Sequence, residues 1–335
     1  MTVKIEIVLT SGVDGVFYPG QEVIGEAIVV LTKTIRVSRL KLTISGIGKT
    51  EWSEANSQNG RFLNLEQFLF QANDAASSTT YTGKECYLHS ELILCQVNDF
   101  MPAGGYTYGF ACPLPEAIPA SFEGKNGRIR YSLTVTVERP WKQSKAHTLG
   151  FQVSRELDLN KVPLLPIKAE HTKFLSCWPC LPSGSLALSV QLPSNGFIPG
   201  QMISTLLRIN SRRNIKVREI TTVLIQKTTY SARWPKHRQR IESVIICKTV
   251  SPGITLPEGG ILAEENLQVP WLLPTTCCSK IIKICYEIKV ALEVNTCYLQ
   301  DPFAVIAIPI VIGTIAERDS ELSEEETVLE WSRKS

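Results

Sequence analysis

The chain has no pair of adjacent prolines, no Asn-x-Ser/Thr sequon and no long apolar run. Its longest apolar stretch, Phe303 to Ile312, interrupted by Pro309, falls well short of the roughly 20 residues a bilayer-spanning helix needs. Histidine is scarce: His89, His147, His171 and His237 stand far apart. No His-Glu-x-x-His, Gly-x-Ser-x-Gly or Gly-x-x-x-x-Gly-Lys sequence occurs, which excludes the usual signatures of zinc proteases, α/β-hydrolases and P-loop nucleotide binders. We therefore expect no enzyme, no cofactor and no metal.

At 335 residues, 44% hydrophobic and 20% charged, the composition is that of a globular protein able to bury a sizeable core. The opening Met1-Thr2-Val3-Lys4-Ile5-Glu6-Ile7 alternates apolar and charged residues and reads as a strand, where a secretory signal would place an unbroken apolar run. Ten cysteines without regular spacing point to free thiols in a reducing compartment, so a cytoplasmic location is expected. The formal charge of +3 conceals an asymmetry. Residues 317–335 carry seven acids against three bases, which leaves the remaining body at +7, a field that draws acidic partners or anionic headgroups.

Internal repetition divides the chain. Tyr18-Pro19-Gly20-Gln21 recurs as Ile198-Pro199-Gly200-Gln201 at an offset of 180 residues. Further on, Met101-Pro102-Ala103-Gly104-Gly105 recurs as Leu256-Pro257-Glu258-Gly259-Gly260, and the run from Ile129 to Val135 as that from Ile284 to Val290, both at an offset of 155. The change of about 25 residues assigns the first copy a longer excursion, placed in the polar stretch Ser53 to Ser90. So long a period means tandem domains, since solenoid units run at roughly 20–50 residues. Segments such as Leu40-Lys41-Leu42-Thr43-Ile44 and Leu133-Thr134-Val135-Thr136-Val137 alternate with period two, and turn residues recur between them, the pattern of antiparallel sandwiches. Pro163, Pro166, Pro179 and Pro182 suggest a linker, because proline lacks the amide hydrogen of a sheet ladder. The expected boundaries are an N-terminal domain 1–157, a linker 158–182, a C-terminal domain 183–316 and a disordered acidic tail 317–335.

Leu114-Pro115, Pro119-Ala120-Ser121-Phe122-Glu123-Gly124, Gly127 and Arg130-Tyr131 closely resemble the signature entering a late strand of the N-terminal domain of α-arrestins, the arrestin domain-containing proteins. Gly46-x-Gly48 leading to Trp52, Asp158-Leu159-Asn160 before Pro163, Val269-Pro270 with Pro274, and Ile308 to Ile315 extend the resemblance over residues 3–316. It implies an all-β fold of two tandem arrestin-type, immunoglobulin-like antiparallel sandwiches. It also implies an adaptor that links cytosolic tails of membrane receptors or transporters to endosomal sorting machinery, at the plasma membrane or endosomes, and often to ubiquitination. Family members recruit HECT-type ubiquitin ligases through Pro-Pro-x-Tyr, which docks as a polyproline helix on aromatic rings. Without a Pro-Pro pair here, any ligase is expected to be reached indirectly. The receptor-sensing arrestins carry adjacent lysines on their first strand, whereas here Lys4 is followed by Glu6 two residues on, so the phosphate trigger is not carried over.

Other motifs carry two readings each. Cys177-Trp178-Pro179-Cys180 invites a thiol oxidoreductase, but a redox Cys-x-x-Cys opens a helix after a strand, and this pair lies among prolines before a strand-like run; structural thiols are expected. As a zinc half-site the pair lacks a partner, since Cys277-Cys278, Cys285 and Cys297 do not reproduce ribbon spacing. Surface palmitoylation has no positional support. Gly104-Gly105 and Gly259-Gly260 read as one shared glycine-dependent turn. The basic run from Arg233 to Arg240 reads as a solvated hairpin tip; if it carries function, Arg233, Lys236, Arg238 and Arg240 contact an anionic membrane surface, and no nucleic-acid motif accompanies them. Ser320, Ser323 and Thr327 lie among the tail's acids, and a sharper reading lets the tail fold back on the basic body under phosphorylation. The rival readings are a retromer-type sorting subunit with the same fold and the oxidoreductase centred on Cys177 and Cys180.

Overall fold

Alternation of apolar and polar residues with period two builds many of the strands of this chain. The computed structural model describes residues 3–55, 78–177, 181–211, 215–257, 260–276, 278–294 and 304–317. The first half contains β1 (Val3–Leu9), β2 (Val16–Phe17), β3 (Glu22–Leu31), β4 (Ile35–Ala55), β5 (Ser78–Met101), β6 (Gly104–Pro113), β7 (Phe122–Gly124), β8 (Gly127–Glu138) and β9 (Lys145–Val153). A single 3-10 turn at Leu159–Lys161 follows. The second half contains β10 (Ile167–Cys177), β11 (Leu181–Leu192), β12 (Gly196–Phe197), β13 (Met202–Ser211), β14 (Ile215–Ala232), β15 (Arg238–Pro252), β16 (Thr255–Leu256), β17 (Ile261–Gln268), β18 (Ile282–Val294) and β19 (Ala304–Ile312). The expected all-β, two-sandwich architecture is therefore what the chain adopts.

Contacts group the residues into two units. One comprises Met1–Arg155 together with Thr229–Ile241 and Thr276–Lys283; the other comprises Glu156–Thr228, Glu242–Thr275 and Ile284–Ser335. The first half forms a three-stranded sheet ordered β1-β3-β6 and a six-stranded sheet ordered β2-β9-β8-β4-β5, with β7 added on β8. The second half forms a four-stranded sheet, β10-β11-β13-β17, and a six-stranded one, β12-β19-β18-β14-β15, with β16 on β14. In β3, Val23, Ala27, Val29 and Leu31 point into the core while Glu22, Ile24 and Glu26 face out. Each such Val or Leu side chain contributes about 1.5–3 kcal/mol through burial. In β8, Tyr131, Leu133, Val135 and Val137 are all at most 2% exposed and meet the core from the opposite sheet.

The sequence repeat is a hydrogen-bond repeat. Gly20 and Gly200 adopt φ of 85° and 89°, left-handed conformations that favour glycine. Gln21 and Gln201 each donate a main-chain N–H to the carbonyl of Tyr18 or Ile198 at 3.1 Å. Each glutamine also takes back the N–H of that residue on Oε1, at 2.9 and 3.1 Å. The same corner then pairs with Leu114 in one copy and Val269 in the other through reciprocal main-chain bonds of 2.7–3.1 Å. β2 and β12 each lie parallel to a late strand, Val16 opposite Gln152 and Gly196 opposite Val311.

Two expectations change. Within 158–182, read as a linker, Ile167–Cys177 is an 11-residue strand that pairs antiparallel with β11. The prolines do not prevent this: Pro163 and Pro166 precede β10, and Pro182 falls beyond the register shift at Leu175/Ser176. The glycine pairs do not share one turn, because Gly105 sits in β6 opposite Val30, whereas Gly260 adopts φ of 87° against Asn210. The long excursion is the β4–β5 hairpin, paired from Ile35↔Met101 to Ala55↔Ser78.

Candidate interaction surfaces

The residues carrying the family resemblance are packing residues of the first unit. Ser121 and Val153 exchange two bonds, an N–H to carbonyl bond of 2.8 Å and a main-chain N–H to Ser121 Oγ bond of 2.9 Å, which seats β7 beside the end of β9. Phe122 packs against Tyr230 with ring centres 6.4 Å apart. A Cβ on Gly124 would lie 2.4 Å from the Tyr230 hydroxyl, and one on Gly127 only 2.9 Å from the Lys49 carbonyl. Tyr131, 2% exposed, donates its hydroxyl to the Pro119 carbonyl at 2.6 Å, and burial pushes its phenol well above the ordinary range. Its ring occupies the space that a Gly46 Cβ would fill, at 2.3 Å. Trp52 stacks on Tyr81 at 5.7 Å and donates Nε1–H to Glu54 at 3.0 Å. The Glu123–Arg130 pair, 2.5 Å apart, faces solvent, and Arg130 holds that carboxyl below its usual range.

In the second unit, Asp158 takes the Asn160 N–H on Oδ1 at 3.0 Å to cap the 3-10 turn, and Asn160 Nδ2 donates to the Ala316 carbonyl at 2.8 Å. The Asp158-Leu159-Asn160 motif thus fastens the strand end at Ile315, which Leu159 also reaches with its N–H at 3.1 Å.

The basic run forms the connection from β14 to β15, as its composition suggests. Arg233 and Trp234 both donate N–H to the Thr82 carbonyl, at 3.0 and 3.1 Å, and Thr82 returns a 2.8 Å bond to Trp234. The Trp234–Pro235 peptide is cis. The structure brings Arg233, Lys236, Arg238 and Arg240 to one hairpin, and Arg238 there pairs with Glu54 at 3.3 Å. The Glu54 carboxyl is held low first by the Trp52 indole, then by Arg238 and Arg240. Part of the basic charge is thus already answered within the protein.

Sheet edges offer a second kind of surface. β5 and β15 terminate their six-stranded sheets and expose Leu92, Ile93 and Phe100 on one and Val244, Ile245 and Val250 on the other. The later half of β15 is tied to β17: Thr249 Oγ1 donates to the Asn266 carbonyl at 3.4 Å and Ser251 Oγ to Glu265 at 2.5 Å. A cavity of about 630 Å³ opens on the four-stranded sheet between Pro166, Lys168, Gln191, Leu206 and Glu264. Exposed sheet edges are the working surfaces the arrestin resemblance suggests, but the sequence does not place their residues, because a run such as Val244-Ile245-Ile246 has the signature of a buried strand. On the first strand Lys4 lies 3.7 Å from Glu6, a neutralised pair.

Cys177 closes β10 and Leu181 opens β11, and Trp178, Pro179 and Cys180 between them lie outside the described residues. Cys285 is an exposed free thiol, while Cys277, Cys297 and residues 318–335 also lie outside the described residues. Among the described residues no group of three or more His, Cys, Asp or Glu side chains is arranged to hold a metal. Burial raises the thiols of Cys112 and Cys247, which opposes thiolate reactivity. Among the same residues no helix is long and apolar enough to cross a membrane.

Residues 5–160 match the family profile for "Arrestin (or S-antigen), N-terminal domain" and residues 182–317 that for "Arrestin (or S-antigen), C-terminal domain". Arrestin domain-containing protein 17 of Caenorhabditis elegans is 26% identical over 322 residues, covering 92% of this chain and 70% of that protein. Arrestin domain-containing protein 1 of Mus musculus is 28% identical over 267 residues, covering 76% of this chain and 55% of its own length. Arrestin domain-containing protein 4 of the same species is 24% identical over 321 residues, covering 90% and 69%. With both arrestin domains in order, the repeated Pro-Gly-Gln corner and these relatives, the chain belongs to the arrestin family, as an α-arrestin.

Proposed function

We propose that the protein is an arrestin-type adaptor that captures cytosolic segments of membrane receptors or transporters and hands them to endosomal sorting machinery. The observation that carries this reading is the pair of arrestin sandwiches whose long terminal strands, β5 and β15, lie at sheet edges and expose apolar side chains. An unpaired edge accepts an extended peptide as an added strand: main-chain bonds supply affinity, and alternate side-chain positions supply selectivity. Among the described residues no group of three or more His, Cys, Asp or Glu side chains is arranged to hold a metal, and arrestin proteins are generally non-enzymatic adaptors. Any link to ubiquitination runs through a further protein that brings a HECT-type ligase, and membrane association is peripheral, at the plasma membrane or endosomes.

Proximity labelling in cells tests the reading. Membrane receptors or transporters and endosomal proteins are expected among the labelled partners; a set lacking both would defeat it. Replacing Cys177 and Cys180 with serine is expected to leave partner capture unchanged, while a thiol-exchange activity that vanishes with them would establish the oxidoreductase instead.

A further inference from the structure

One end of the first unit gathers aromatic and basic side chains without answering them. Three turns meet there: residues 32–34 between β3 and β4, 102–103 between β5 and β6, and 139–144 between β8 and β9. The register places them together, with Ile35 opposite Met101, Arg39 opposite Glu138, and Val137 opposite Lys145. Trp141, at the tip of the third turn, is 98% exposed and adopts φ of 63°. A left-handed conformation costs a non-glycine residue about 1–2 kcal/mol, and a fully exposed indole recovers nothing by packing. The conformation is nonetheless held, because Arg139 Nε and its guanidinium NH2 both donate to the Gln143 carbonyl. The turn is thus built to point an indole into solvent, and strain of this kind marks functional sites.

The neighbours of Trp141 share its chemistry. Phe100, opposite Arg36, is 63% exposed. Lys33, Arg36, Lys142 and Lys145 are exposed at this end. Of the acids nearby, Glu138 is already paired with Arg39 at 2.6 Å and Lys41 at 3.5 Å, and Asp99 stands opposite Val37, one residue along from the Arg36–Phe100 pair. Exposed indole and phenyl rings surrounded by lysine and arginine match a bilayer interface, where rings settle at headgroup depth and cations meet anionic lipid. A phosphorylated peptide would engage the cations but leave Trp141 and Phe100 without a role.

We propose that this end of the first unit, centred on Trp141 with Phe100, Lys33, Arg36, Lys142 and Lys145, docks on an anionic lipid surface. The Arg233 to Arg240 hairpin lies at the other end of the same unit, bonded to Thr82, and Thr82 pairs with Glu51 beside the start of β8. The 12 residues of β8 separate the two ends by about 36 Å, so one flat membrane meets one or the other. The proposal rests on the adaptor reading only for why the protein visits a membrane.

The test is co-sedimentation of the full chain with phosphatidylcholine vesicles, with and without phosphatidylserine. Binding is expected with phosphatidylserine and to fall as salt rises. Lys142→Glu/Lys145→Glu is expected to weaken it by at least about 30-fold, and Trp141→Gly by about tenfold. Lys142→Glu/Lys145→Glu should leave the melting temperature unchanged, since neither side chain is packed, and Trp141→Gly should not lower it, since glycine adopts the left-handed conformation without that cost. Arg233→Glu/Lys236→Glu should bind as the wild type does. The proposal is overturned if phosphatidylserine gives no enhancement or if Lys142→Glu/Lys145→Glu binds normally. It is equally overturned if the Arg233/Lys236 variant is the one that detaches, or if phosphopeptides bind and vesicles do not. Client capture from detergent extracts needs no bilayer, so Lys142→Glu/Lys145→Glu that still captures clients separates this surface from the adaptor reading.

Discussion

Tyr131 and Tyr286 occupy matching positions in the two sandwiches, 155 residues apart, and both bury a ring while donating a hydroxyl to a main-chain carbonyl at 2.6 Å, Pro119 in one and Leu273 in the other. What lies beside each ring differs. Tyr131 fills the space left by the absent side chain of Gly46. The residue matching Gly46, at the offset of 180, is Gln226, whose side-chain amide lies 3.3 Å from the Tyr286 hydroxyl. Further along the same strands, Thr50 of β4 matches Tyr230 of β14. Thr50 donates its hydroxyl to the Ser231 carbonyl at 2.8 Å, and Tyr230 packs on Phe122. The repeat conserves the backbone corner and the tyrosine hydrogen bond, then spends its remaining positions differently: the first copy on glycines that admit large neighbours, the second on the neighbours themselves.

The sharpest way to break this comparison is Tyr230→Ala. Tyr230 is 1% exposed and its contacts at Phe122, Gly124 and Gly127 all lie within the first unit. Truncation should cost about 3–5 kcal/mol in denaturant unfolding, by transfer and cavity terms together. Thr50→Ala should cost only about 1–2 kcal/mol, for one buried hydrogen bond. Equal losses would mean that Tyr230 is not the anchor of that packing.

Gly46→Ala comes next. Its Cβ would lie 2.3 Å from the Tyr131 ring, which the Pro119 bond holds in place, so overpacking of about 1–3 kcal/mol is expected. Gln226→Ala should cost under about 1 kcal/mol, because Tyr286 keeps its bond to Leu273. If alanine is tolerated at 46, the ring moves more freely than its tether suggests.

How much of this was legible beforehand follows from the kind of signal each feature leaves. Strand alternation and the Pro-Gly-Gln corners are local, so period and composition sufficed to place two sandwiches and their repeat. The 25-residue excess was legible as an offset change and lies in the β4–β5 hairpin. The β10 strand was hidden because its flanking prolines suggested a linker, yet they sit before it and past the register shift. The grouping of Thr229–Ile241 and Thr276–Lys283 with the first unit depends on pairings such as Thr82 with Trp234, separated by 152 residues of chain, which no local pattern encodes. The basic run was legible by charge, but its pairing with Glu54 was not. Trp141 escaped because an indole gives no hint in sequence of whether it is buried or presented.

Where the two copies agree, matched substitutions should agree as well. Tyr131→Phe and Tyr286→Phe each remove a 2.6 Å bond to a main-chain carbonyl, that of Pro119 or of Leu273. Each is expected to lower stability by about 1–1.5 kcal/mol, the two within about 0.5 kcal/mol of each other. A clear inequality, measured by thermal or denaturant unfolding, would show that the tyrosines are equivalent in position but not in role.

The smallest expected effect has the opposite sign. Gly25 of β3 matches Thr205 of β13 at the offset of 180, and both face inward. A Cβ on Gly25 would lie 2.4 Å from the Val8 carbonyl and 2.8 Å from the Phe110 ring, so the first sandwich admits no side chain there. The second sandwich accommodates Thr205 with no exposed surface, and the Thr205 hydroxyl has no hydrogen-bond partner, although its register neighbour Glu265 is bonded to Ser251. A buried hydroxyl without a partner carries a desolvation penalty that a methyl group of the same shape does not. Thr205→Val should therefore stabilise the protein by up to about 1 kcal/mol, a rise of roughly 2–4 °C in melting temperature. A loss of stability instead would mean that the hydroxyl is satisfied in solution by a buried water, which valine would strand. The second copy would then hold a hydrated core at the position where the first permits only glycine.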